Sequence, residues 1–333
     1  MRFARVVYCL AVSACCFSLM GTARGEYFPG DDYETGVSSA NGTFVVNFYY
    51  LNAGSGFDMN SDFRRDFQNS IMRAMNTIEN TFRPASSEAV SYSRGIHVSV
   101  WLQLDPNGNP GAASVPSTGF SKKETWDAND FGGRGEGQKA SVNNVEALLK
   151  YGERLDQQVD RPDAGITFTG IDAAFGYFYV GENPAGRPSY QRDVESLTLH
   201  EMGHVLGFNA GSTGTTSALE VLSVPNGGQY GWTFTGDTTM QLTGEKGVKL
   251  HSGTSAPDGH IMKDGDYPYV MLTGADALSN PSDRRTYSER ELAMFKDMGY
   301  TLADDPFEPA VPEPSSAALA LLGLLGIGMR RRR

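Results

Sequence analysis

Apolar positions in this chain follow two periodicities, and these mark out strands and helices before any chemistry is considered. Over residues 62–82, Phe63, Phe67, Ile71, Met75, Ile78 and Phe82 recur every three or four positions. That stripe predicts an amphipathic helix packed on a sheet, with its methionines as core rather than as cofactor contacts. Residues 43–51 form a nearly unbroken apolar run, which predicts a buried first strand. Residues 96–104 alternate and predict a second strand, with His97 as a core or sheet-face residue. Further strands are expected at 166–170 and 173–180, and a second helix at 142–155. Between them, 105–137 is rich in Gly, Pro and Asn and is expected to hold no regular structure. Within it, Asp105, Asn107, Gly108 and Asn109 raise calcium as a ligand, but a closing carboxylate is missing and a surface turn is the plainer reading. Ser288 and Glu291 then open a capped helix whose buried face is Leu292, Phe295 and Met298, stopped by Gly299. Strands and helices mixed in this order predict an α+β fold built on a mixed sheet.

Both ends of the chain carry a different kind of pattern. Arg2 and Arg5 precede an apolar stretch over 6–20 and small residues to Gly25, the layout of a secretory signal peptide over 1–25. A lipoprotein reading at Cys15 fits less well, because the apolar run continues past it. All three cysteines, Cys9, Cys15 and Cys16, fall in this segment, so the exported chain has neither a disulfide framework nor thiol chemistry. At the other end, Pro312, Glu313 and Pro314 precede an apolar run over 317–329 and then Arg330, Arg331, Arg332 and Arg333. This segment, 311–333, resembles the PEP-CTERM sorting signal of bacteria. The resemblance implies transient anchoring at the inner membrane, cleavage by an exosortase near the Pro-Glu-Pro box, and a secreted or cell-surface destination. A permanent transmembrane anchor is the competing reading of the same residues.

The whole chain has a formal charge of −11, and each end contributes a net +3, which leaves −17 on the part between them. So acidic a surface argues against nucleic acid or anionic lipid as a partner. About 285 residues remain, enough for one large domain over 26–310.

The chemistry concentrates at His200, Glu201, Met202, Gly203, His204, Val205, Leu206, Gly207 and Phe208. On a helix, residues four apart share a face, so His200 and His204 can present their imidazoles to one metal ion. Glu201 lies beside that face, where it can serve as general base to a water. No proline interrupts the flanking positions Asp193, Val194, Leu197 and Leu199, and Gly207 can supply the left-handed turn that stops the helix.

A catalytic zinc takes three protein ligands and keeps one position open. The His-Glu-x-x-His-x-x-Gly pattern resembles the metzincin zinc peptidases, in which a third ligand comes shortly after the glycine. Here that position is Ala210, which cannot bind metal. The arrangement is similar to leishmanolysin-type metzincins, in which an insertion separates the glycine turn from a late third histidine and a methionine turn. Of the five histidines, His251 and His260 lie downstream. The resemblance then implies His260 as third ligand, delivered by a turn at Asp258, Gly259 and His260, with Met271 as the floor under the metal. His251 paired with Met262 is the competing register. Glu220 as a gluzincin-style ligand is a further one, although a helix-surface carboxylate is its plainer reading.

By that resemblance the chain is expected to be a metzincin-like, zinc-dependent metalloendopeptidase acting on protein or peptide substrates. Its catalytic region would span about 166–300, with an active-site helix, a C-terminal helix and an insertion over 209–259. Residues 176–180 are expected at the edge of the substrate cleft, unless Phe175, Tyr177 and Tyr179 simply pack a sheet face. Two alternatives stay open. One is a non-catalytic matrix or cell-surface protein with a degenerate metal site, which Ala210 favours. The other is a zinc hydrolase of a non-peptide bond, for which no residue argues.

Overall fold

The computed structural model describes residues 32–51, 61–84, 95–104, 111–116, 122–125, 139–155, 162–170, 178–183, 187–188, 191–209, 217–226, 231–252, 257–263, 268–272 and 284–308. The signal-peptide and sorting segments, the Asp105 to Asn109 calcium reading and Ala210 lie outside them. The chain divides into two units, 1–303 and 304–333. Of the second, residues 304–308 are described, where Asp305 accepts the Phe307 N–H.

A five-stranded mixed sheet forms the frame. It comprises β1 (Asp32–Ser38), β2 (Phe44–Leu51), β3 (Ile96–Leu104), β4 (Gly111–Pro116) and β7 (Ala164–Gly170), in the order β1-β2-β3-β7-β4. The three central strands run parallel, and an antiparallel strand closes each side. Alternation decides which face is covered: Phe44, Val46 and Phe48 are fully buried, while Val45, Asn47 and Tyr49 between them are half-buried. Onto this face packs α1 (Ser61–Thr81), whose Phe67, Ile71, Met75 and Ile78 are fully buried. The Phe67 ring meets Phe168 of β7 edge-on at 5.1 Å. Each such side chain contributes about 1.5–3 kcal/mol on burial.

The expectation of irregular chain over 105–137 is corrected by β4 and by β5 (Lys122–Thr125), which pairs with β6 (Lys139–Val142). The apolar pattern missed β4 because it is an edge strand of small residues ending in Pro116. Such a strand is held by backbone pairing on one side, and proline is tolerated there. Strand 173–180 is likewise corrected: within the described part of it only β8 (Phe178–Tyr179) is extended, and it pairs with β9 (Arg192–Asp193) rather than with the main sheet. Phe178 is buried edge-on against Phe168 at 5.9 Å, so it is core and not cleft rim. The antiparallel edge beside the motif helix is β4.

The helix expected at 142–155 is shorter, α2 (Asn144–Tyr151), because Asn143 caps its start and Gly152, at φ +67°, ends it. The motif helix is α3 (Val194–Val205), packed against α1 and alongside β4. Beyond it the chain is more ordered than the featureless pattern over 209–259 suggested. That stretch holds α4 (Ala218–Val221), β10 (Ser223–Pro225), β11 (Trp232–Phe234), α5 (Asp237–Thr243), β12 (Val248–Ser252) and β13 (Pro257–Ile261). The four strands make an antiparallel sheet in sequence order. Elements of three to seven residues are too short for either period to register. The chain closes with α6 (Glu289–Asp297), capped reciprocally by Ser288 and Glu291 as expected. Its buried face holds Ala293, Met294, Phe295 and Met298, with Leu292 only half-buried. Phe295 joins Phe82, Phe208, Tyr287 and Tyr300 in one aromatic cluster, which ties the last helix to the end of α3.

Candidate metal centre

The motif helix is pinned at both ends. At its start Asp193 accepts the Ser196 N–H and hydroxyl, and Arg284 grips the same carboxylate at 3.0 Å. Arg284 also reaches Glu195, which Arg73 of α1 holds at 2.7 Å. Tyr287 donates to the Leu199 carbonyl inside the helix. At its end the last carbonyls find donors in Asn143, whose amide reaches Val205 O, and in Tyr300, whose hydroxyl reaches Leu206 O. Gly207 then takes φ +107°, the turn expected from the sequence.

From this helix His200 and His204 project to one side, and His260 comes to meet them from β13. The ring centroids stand 4.8 Å (His200 to His204), 5.3 Å (His200 to His260) and 4.7 Å (His204 to His260) apart. One nitrogen from each ring lies within 4.8 Å of the other two. Each Nδ1 is engaged elsewhere: His200 with Val270 O at 2.7 Å, His204 with Phe208 O, and His260 with Asp258 Oδ1 at 3.3 Å. That leaves the three Nε2 atoms for a common ligand. Nitrogens 2.0–2.1 Å from a tetrahedral ion stand about 3.4 Å apart, so the rings need to close by about 1.4 Å at most. The donor set therefore fits a three-histidine metal site with an open fourth position.

Burial keeps His200 and His204 neutral. It pushes the His204 imidazole down to about 3, helped by the neighbouring His200 and His260. It pushes His200 down to about 4, with His260 and Arg285 adding to the effect and the Val270 carbonyl opposing it. Glu201, next along the helix, is 5% exposed.

Val270 and Met271 tie the site together. The Val270 carbonyl orients His200, and the Met271 carbonyl accepts the Ile261 N–H from the strand that bears His260. The Met271 side chain is fully buried against Gly203, one turn of helix between the two motif histidines. A Cβ at Gly203 would stand closer to the Met271 sulfur than the 3.0 Å that real Cβ atoms respect. The Met271 N–H is in turn accepted by Glu291 Oε1 at 2.7 Å. Burial pushes that carboxyl up to about 7, against the hydrogen bonds that Ser288, Met271 and Val270 donate to it.

The competing ligands fall outside this cluster. His251 is half exposed and bonds Asp258 Oδ2 at 2.6 Å. Met262 is exposed. Glu220 is occupied in the capping box of α4, where it accepts the Ser217 N–H. His97 sits on β3, its N–H donated to Asp163. The turn expected at Asp258, Gly259 and His260 is instead part of β13. Gly259, at φ +89°, lets the strand approach so closely that a Cβ there would stand 2.9 Å from the Phe208 carbonyl carbon.

Sequence reasoning missed Asn143, Tyr287, Tyr300 and Arg284, and gave Asp258 a turn's role only. Only Asp258 carried a local signal, standing two positions before a ligand on the same strand face. The others act through long-range packing, which no local spacing encodes.

Among the described residues no helix is long and apolar enough to cross a membrane. No curated protein and no solved structure matches the chain. Residues 310–333 match the PEP-CTERM protein-sorting motif, which marks the protein for export and exosortase-dependent C-terminal sorting to the cell surface or exterior of a bacterium.

Proposed function

We propose that the exported domain is a zinc-dependent metalloendopeptidase of metzincin-like architecture. The observation that carries this reading is the convergence of His200, His204 and His260, each with its Nδ1 already bonded and one ring nitrogen within 4.8 Å of the other two. The position of His260 beside the other two supports it, rather than Ala210, as the source of a third ligand and favours the catalytic reading over a non-catalytic surface protein.

Zinc held by these three imidazoles would polarise the scissile carbonyl and lower the pKa of the attacking water to about 7. Glu201, at the adjacent helix position and nearly buried, takes the water proton and returns it to the leaving amine. Met271 and Gly203 form an apolar support that keeps the two helix ligands in place without contributing a ligand. Strand β4 pairs with β7 on one side, and among the described residues no strand covers its other edge. Lying alongside α3, that edge can pair with the backbone of an extended peptide, which fits a protein substrate better than a small molecule.

The test is hydrolysis of casein and of a peptide library by the mature protein, with and without chelator. Chelator-sensitive cleavage restored by zinc is expected. Glu201→Gln keeps one equivalent of zinc but loses activity by about 10²-fold or more, the usual scale of general-base catalysis. Substantial turnover in that variant removes Glu201 from its role, and no cleavage across the library favours the non-catalytic surface protein.

A further inference from the structure

Strands β12 and β13 do not pair evenly. Leu250 faces Ile261 and Ser252 faces Pro257, so between these pairs one residue of β12, His251, stands opposite three of β13: Asp258, Gly259 and His260. This bulge re-aims side chains, as bulges beside functional sites commonly do. Gly259 absorbs it with its left-handed backbone, and Asp258 and His260 end on the same half-buried face. Asp258 Oδ1 then accepts the His260 backbone N–H at 3.0 Å and the His260 ring Nδ1 at 3.3 Å. Its other oxygen, Oδ2, accepts from the half-exposed ring of His251 at 2.6 Å.

The three histidines of the centre are thus supported unequally. His200 and His204 lie on one rigid helix and are oriented by backbone carbonyls. His260 comes from a separate small sheet, and its ring is the one oriented by a carboxylate. A histidine ligand whose far nitrogen donates to a carboxylate is fixed in tautomer and orientation and is a stronger donor to metal.

We propose that Asp258 is the positioning residue of the third ligand, and that His251 steers it, so that the metal affinity of the centre is set by a His251–Asp258–His260 relay built into the β12–β13 bulge. Neither Asp258 nor His251 belongs to the three-histidine cluster. This inference rests on the zinc reading above. It adds that His251, a rival ligand by sequence, serves the centre from behind the true one.

The experiment compares wild type with Asp258→Asn, Asp258→Ala and His251→Phe. Zinc affinity is measured by chelator competition, ligand geometry by the visible spectrum of the cobalt-substituted protein, and stability by urea unfolding of the metal-free form. Removing such a partner is expected to weaken zinc binding about 10–100-fold in both Asp258 variants. The cobalt spectrum shifts, while the metal-free midpoint stays near that of wild type. His251→Phe leaves one equivalent bound, with an affinity loss smaller than that of Asp258→Ala. Asp258 variants with wild-type affinity and spectrum overturn the proposal, and so does a loss of metal-free stability with affinity unchanged. Wild-type protein that holds no equivalent of zinc overturns the metal-centre reading and this inference with it. Wild type that binds zinc no more tightly than Asp258→Ala overturns this inference alone.

Discussion

Replacing Gly259 by alanine tests whether the third ligand depends on a close approach between two parts of the backbone. Two costs are expected. The first is conformational: Gly259 sits at φ +89°, and a side chain in the left-handed region costs about 1–2 kcal/mol. The second is steric, because the new Cβ would stand 2.9 Å from the Phe208 carbonyl carbon and 3.1 Å from Asn209 Cα. The Phe208 carbonyl oxygen is the nearest atom of all, and ordinary contacts lie at about 3.5–4.0 Å, so the strand must retreat by roughly 1 Å or more. These are backbone atoms and cannot rotate aside. The Phe208 carbonyl also orients His204, and His260 is the next residue on the retreating strand, so two histidines of the cluster shift together. Gly299 provides the control: its φ of +94° matches, and nothing lies within 4 Å of a Cβ placed there. Gly299→Ala should lose about 1–2 kcal/mol of stability and keep its zinc affinity. Gly259→Ala should lose at least that much and bind zinc at least about tenfold more weakly, the scale on which displaced supports act. Urea unfolding of the metal-free proteins and chelator competition supply the two readouts. Wild-type affinity in Gly259→Ala would show that the approach of β13 to Phe208 does not govern the site.

Three other outcomes are expected from the same geometry. His260→Ala should lose bound zinc while His251→Ala retains one equivalent; metal analysis showing the reverse would exchange their roles. Gly203→Ala gains about 1 kcal/mol of helix propensity but forces the buried Met271 sulfur to move, at about 1–3 kcal/mol, and should weaken zinc binding. In a Met271→Ala background the same substitution should be harmless, and a thermodynamic cycle showing no coupling refutes the contact. Metal-free protein should lose stability in acid, since burial depresses His200 to about 4 and His204 to about 3, below the ordinary value near 6.5. A depressed base binds fewer protons folded than unfolded, so this stability is complete above about pH 6.5 and drains away as pH falls through about 4. His200 alone accounts for on the order of 3 kcal/mol, and a thermal midpoint flat over about pH 4–7 would contradict this.

What could be read from the residues tracks how local each interaction is. The i, i+4 spacing of His200 and His204, the capping pair Ser288 and Glu291, and the stripe from Phe63 to Phe82 are encoded within a few positions, and the structure reproduces them. His260 as third ligand rested on resemblance, and the fold does bring it to the other two. Strand β4 was invisible because its small residues carry no alternation; it exists through pairing with a strand some fifty residues away. The β10–β13 sheet was missed for its short strands. Asp258 reads locally as turn chemistry, since nothing in its neighbours announces a bulge that sets His251 opposite it. Glu291 was legible as a helix cap, but its second bond, to the Met271 N–H, depends on how the last helix docks.

The small sheet bearing His260 also bears on maturation. His204 and His260 are separated by 56 residues of chain, so an ion gripped by both closes a long loop whose entropy opposes capture. During export the chain would present at most the helix pair. Full grip arrives only once the sheet has assembled and settled onto the end of that helix. On the zinc reading, the ion would therefore be acquired late, after export, and hydrolytic competence would be withheld from the nascent chain.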